Sequence, residues 1–72
     1  MNEKIILTSH SKQRMIERGI SFKNIQDTIE FPDYTIKKED KIEAHKKIKD
    51  KILKIIYSKS GKFIKIITVI LR

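Results

Sequence analysis

Cysteine is absent from the 72 residues, which removes disulfides and thiolate metal sites and fits a reducing compartment. Proline occurs once and glycine twice. With only Gly19 and Gly61 available, there is no glycine-rich loop to cradle a nucleotide phosphate, and no nucleophilic serine motif is present. The two histidines, His10 and His45, stand far apart and without thiol partners, a poor zinc pattern. Neither a metal nor a cofactor is therefore expected. No stretch approaches the roughly 18 apolar residues of a membrane span, and the N-terminal MNEKIILTSH lacks the small-residue cleavage site of a secretory signal. The expectation is a cytoplasmic protein that does not engage membranes. A chain this short forms one small domain whose core gives only roughly 3–5 kcal/mol of net stability, too little for a deep enclosed pocket.

Acidic residues are also scarce. Nine Asp and Glu face seventeen Lys and Arg, a net charge of +8. Over residues 1–34 five basic residues balance five acidic ones, whereas over 35–72 twelve face four, so the whole excess lies in the second half. Such a field favours a polyanionic partner, nucleic acid first and an acidic protein second. Compositional drift is the bland alternative, since isoleucine and lysine share A/T-rich codons.

What is present divides the chain in two. Residues 8–18 predict a helix over 9–18, opened by Thr8 or Ser9 as N-cap and closed by Gly19 at C′, with Met15 and Ile20 as the apolar pair of a Schellman ending. A second helix over 21–30 follows, with Ser21 as cap and Ile20 and Ile25 as a hydrophobic staple. Phe22, Ile25 and Ile29 form its expected buried stripe. Pro32 stops it by disfavouring helix at Phe31.

From Tyr34 the period changes to that of strands, rich in β-branched residues and expected over 34–38, 42–48, 52–58 and 63–71. KED, KDK and KSGK separate them; such short connections join antiparallel neighbours, and Gly61 supplies a positive φ for the last turn. KIIL at 4–7 is either a short strand or an extended lead-in. The expected fold is α+β, with two N-terminal helices on one face of a four-stranded, mainly antiparallel sheet. Ile42, Ala44, Lys46 and Ile48 share one side of the second strand, and Glu43, His45, Lys47 and Lys49 the other. In the last strand, strict alternation places Phe63, Lys65, Ile67, Val69 and Leu71 opposite Ile64, Ile66, Thr68, Ile70 and Arg72. That strand is apolar on both sides, which places it inside the sheet.

The segment HSKQRMIERGI, residues 10–20, holds two of the three arginines. His10, Arg14 and Arg18 are successive i+4 neighbours in one slanting helical stripe. Imidazole serves as acid or base near neutral pH, and arginine grips phosphate oxygens bidentately. The structural reading of the same residues is that Arg18 offsets the helix dipole, Arg14 pairs with Glu17, and His10 hydrogen-bonds near the N-terminus. His45, Lys46 and Lys47 on a basic strand, and Thr68 on a central one, are candidates for holding an RNA backbone; a solvated edge and an ordinary β-former are the alternatives. Tyr57, alongside Leu53 and Ile55, reads as core.

His10, Arg14, Met15, Arg18 and Ile20, then Pro32-Asp33, then Ile66-Ile-Thr-Val69 resemble the family called domain of unknown function 4258, from Leu7 to Leu71. Ser11, where the family usually has Ala, and Phe31, where Asn is commoner, depart from it. The resemblance implies a helix-helix-sheet domain similar to small ribonuclease toxins of the RelE, barnase and colicin type, and hence a metal-independent endoribonuclease toxin acting on RNA, including ribosome-bound mRNA, and restrained by an acidic antitoxin. His10 would then transfer protons, and Arg14 and Arg18 would clamp phosphate. A non-catalytic RNA- or protein-binding module, and an interaction protein with no nucleic-acid role, are the other readings.

Overall fold

A computed structural model describes residues 4–72. Within them the chain runs β1 (Lys4–Leu7), α1 (Ser9–Arg18), α2 (Phe22–Glu30), β2 (Tyr34–Lys38), β3 (Lys41–Ile48), β4 (Lys51–Ser60) and β5 (Phe63–Leu71). The strands form one sheet in the order β1-β5-β4-β3-β2.

Local chemistry accounts for both helices. The Thr8 side chain accepts from the Ser11 N–H at 3.1 Å, satisfying one of the unpaired donors of the first turn. Its hydroxyl also lies 3.3 Å from the Ile66 carbonyl, which ties the start of α1 to β5. At the other end Gly19 adopts φ 66°, and the Ile20 N–H donates to the Met15 carbonyl at 2.9 Å. This is the Schellman ending that the positions of Gly19 and Ile20 predict. Ser21 caps α2, and Asn24 reciprocates by accepting from the Ser21 N–H at 3.2 Å. Ile25 is buried and Ile29 half-buried, but Phe22 is exposed. The fully buried Thr28 joins the inner face instead, its hydroxyl bonded to the Asn24 carbonyl at 2.7 Å.

The class is α+β as predicted, with a correction to the sheet. The sequence predicts a four-stranded, mainly antiparallel sheet, whereas the sheet has five strands and is mixed, because KIIL forms β1, which lies parallel to β5 with Lys4 opposite Phe63 and Leu7 opposite Ile66. A four-residue strand carries too little alternation to identify itself, and its partner lies at the far end of the chain. The three hairpins β2–β3, β3–β4 and β4–β5 are antiparallel. Each turn contains a residue of positive φ: Glu39 at 53°, Lys49 at 58° and Gly61 at 60°. Lys49 thus sits in a turn rather than on the strand face with His45.

A second correction concerns β5. Tyr57 pairs with Ile66 and Ile56 with Thr68, leaving Ile67 as an extra residue in a β-bulge. One added residue reverses the inward and outward sides beyond it. Ile64 and Ile66 therefore share the core with Val69 and Leu71, which strict alternation separates.

The helices lie on one face of the sheet, α1 over β5 and β1, α2 over β4 and β3. Between the layers are Ile20, Ile25, Ala44, Leu53, Ile55, Tyr57, Ile64, Ile66 and Val69. No described helix is long and apolar enough to cross a membrane.

Candidate functional site

The predicted candidates divide between the two sides of the sheet. His10 and Arg18 are exposed on α1 and Arg14 is half-buried. None of the three side chains has a hydrogen bond or ion pair with another described residue. The Arg14–Glu17 pair does not form; the Glu17 carboxylate accepts from Gln13 at 3.2 Å instead. Lys46 points to the helical side, its ammonium donating to the Phe31 carbonyl at 2.8 Å. His45, Lys47 and Thr68 lie on the opposite side, which no helix covers.

The two-residue turns of the hairpins set what meets on that open face. Lys38 opposite Lys41 brings Tyr34 opposite His45, and Ile48 opposite Lys51 brings His45 opposite Lys54. One row across the sheet is thus Tyr34, His45, Lys54 and Ile70; the next is Ile36, Glu43, Ile56 and Thr68. Thr68 is half-buried and shares Glu43's row, with Ile56 between them.

At the centre stand two ionisable residues that are buried without a covering layer, Glu43 at 7% exposure and His45 at 9%. Neighbouring side chains supply the cover. The Lys38 ammonium lies 3.1 Å from one Glu43 carboxylate oxygen, and the Lys54 ammonium lies 3.5 Å from the other. The hydrogen bond from Lys38 holds the Glu43 carboxyl below the ordinary glutamate value. Desolvation opposes this, and the charges of Lys38 and Lys54 reinforce it. Glu43 is consequently an anion at neutral pH.

His45 Nε2 lies 3.6 Å from the Glu43 oxygen that faces Lys54, too long for a good hydrogen bond. It is the one buried side-chain nitrogen or oxygen among the described residues without a hydrogen-bond partner. The Tyr34 ring covers the imidazole, with centroids 4.4 Å apart and planes 8° from parallel. Asp33 secures the entry to β2 through its carboxylate, which accepts from the Lys47 N–H at 2.8 Å.

Glu43, Lys54, Lys38 and Tyr34 are the residues that sequence reasoning missed as candidates. The separators expected from the sequence are KED and KDK, whereas the structure has two-residue turns, and these fix the registers that set Tyr34 and Lys54 on either side of His45 and Lys38 diagonal to Glu43. No group of three or more His, Cys, Asp or Glu that could hold a metal ion occurs among the described residues. Chemically, the arrangement offers a carboxylate, an imidazole and two ammonium groups within one open surface.

A family described as a domain of unknown function, DUF4258, matches residues 7–71, from the last residue of β1 to the last of β5. No curated protein matches the chain. No solved structure matches it.

Proposed function

The chain belongs to the DUF4258 family, and on that premise we propose that it is a small metal-independent endoribonuclease working on the open face of its sheet. The observation that carries this reading is the Glu43–His45 pair, 3.6 Å apart and flanked by Lys38 and Lys54. Cleavage of RNA without a metal needs one group to take the 2′-hydroxyl proton, another to give a proton to the departing 5′-oxygen, and cations where charge builds on the phosphate. Glu43, kept ionised by its lysines, takes the proton. His45 in its protonated form supplies the other, while Lys54 and Lys38 offset the charge. The 2′-oxygen bonds to phosphorus as the bond to the 5′-oxygen breaks, giving a 2′,3′-cyclic phosphate and a 5′-hydroxyl.

His10, Arg14, Met15 and Arg18 resemble the DUF4258 motif, and the likeness of that family to small ribonuclease toxins points to the same activity class. In this reading the helix stripe is a second phosphate-binding element. Net charge of +8 fits both an RNA substrate, free or on the ribosome, and restraint by an acidic antitoxin in the cytoplasm.

A second reading, an RNA-binding module without hydrolysis, is favoured by one observation: His45 Nε2 has almost no exposed surface beneath Tyr34.

The test is incubation with cellular RNA and with ribosome-bound mRNA in the presence of chelator. Cleavage that falls about 10²–10⁴-fold in His45→Gln and persists in His10→Ala supports the sheet centre. The reverse pattern moves the chemistry to α1. Absence of cleavage with salt-sensitive RNA binding intact establishes the second reading.

A further inference from the structure

The Tyr34–His45 stack has one face that the fold leaves unused. The two rings stand side by side across β2 and β3, 4.4 Å apart and nearly parallel. The inner face of Tyr34 is therefore occupied by His45. Its outer face lies beyond β2, which is the last strand of the sheet, and the residue is 55% exposed. Ile36, next on the same side of β2, is also exposed.

Cations bracket this ring. Lys47 follows His45 by two residues on the same face of β3, and its ammonium has no partner among the described residues. Lys38 lies at the far end of β2 with its side chain 64% exposed. Neighbouring positions along one strand face are about 6.8 Å apart, so Lys47 stands one such step and Lys38 two steps from the Tyr34–His45 row, spacings that one and two nucleotides of an extended strand can bridge from a base placed on Tyr34.

We propose that the outer face of Tyr34 is a stacking platform for one unpaired nucleobase, so that the substrate of the open face is single-stranded RNA. The inference rests on the RNA reading above and specifies its substrate class. An aromatic ring binds a base through its π-face and is tolerant of sequence. In a duplex both faces of each base are already stacked, so a paired strand has nothing to offer the ring. Packing against His45 holds the tyrosine ring in place before the base arrives, which lowers the ordering cost of binding. An acidic peptide would use the lysines and leave the ring idle.

The experiment measures binding of a short single-stranded oligoribonucleotide, 2′-O-methylated to prevent cleavage, to the native protein and to Tyr34→Phe and Tyr34→Leu. The same strand in a duplex and an acidic peptide serve as competing ligands. Thermal unfolding of each variant is recorded alongside. The expected result is native-like affinity for Tyr34→Phe and a loss of about tenfold for Tyr34→Leu, with weaker binding of the duplex. Bound RNA should quench the Tyr34 share of tyrosine emission and spare that of the buried Tyr57.

Equal binding by Tyr34→Leu and the native protein, or equal binding of duplex and single strand, overturns the platform while leaving an RNA role standing. Binding of the acidic peptide but not of RNA removes both the platform and the RNA reading.

Discussion

The two faces of one sheet solve burial in opposite ways. On the helical side, Leu53, Ile55 and Ile66 are fully buried beneath α1 and α2 by apolar neighbours. On the other side no helix lies, yet Glu43 and His45 are nearly as inaccessible, with the Lys38 and Lys54 ammonium groups beside Glu43 and the Tyr34 ring stacked on His45. The first arrangement gains stability from area removed from water. The second places charge where solvent is thin, which strengthens local electrostatics without the rigidity of an interlocked core. The contrast teaches that burial in a domain this small marks two different things, apolar packing on one side and an ion-paired polar cluster on the other.

The comparison can be broken first at adjacent residues of β4. Leu53→Ala should cost about 2–5 kcal/mol, enough to leave a marginal domain largely unfolded, whereas Ile52→Ala, exposed on the open side, should cost under about 1 kcal/mol. Denaturant titration followed by circular dichroism measures both, and equal costs would mean that the open side is covered in solution.

Replacing Lys41, Lys47 and Lys65 together by Ala should weaken RNA binding and lower the salt-dependence slope by about one for each phosphate that is no longer neutralised. Affinity measured across a salt series decides this; an unchanged slope would place the RNA elsewhere.

Acid sharpens the contrast in a different way. Because Glu43 holds its proton less tightly folded than unfolded, its contribution to stability is present above the unfolded value near 4.3 and is lost as pH falls through the folded one. Glu43→Gln should flatten the decline in unfolding free energy at low pH. Leu53→Val should shift the curve without changing that slope.

The smallest effect is expected at the turn between β3 and β4. Lys49 occupies φ 58°, a conformation that costs a side-chain residue about 1 kcal/mol. Lys49→Gly should therefore raise the melting temperature by about 4–8 °C, and a fall would show that the lysine side chain is held by a partner in solution.

Much of the architecture is legible in the sequence because it depends on neighbours in the chain. Thr8, Gly19, Ser21 and Pro32 bound the helices through hydrogen bonds and steric limits spanning a few residues. The period-two pattern of β3 places His45 on the opposite side from Ala44, and the last strand is interior as its apolar character requires. The candidate site is less legible. His10, Arg14 and Arg18 do share a helix stripe, but nothing in that spacing reveals that His45 and Thr68 lie across the sheet from them.

Local propensity and alternation, written residue by residue, determined two capped helices, three hairpins and the side on which Glu43 and His45 emerge. Tertiary structure alone decided the rest, because those features depend on distant partners. Ile67 bulges only against its pairing with β4, and that bulge turns Thr68 toward the open face and Val69 into the core. β1 becomes a strand only when β5 offers it a free edge. Glu43 gathers Lys38, Lys54 and His45 around itself only when three strands align in register.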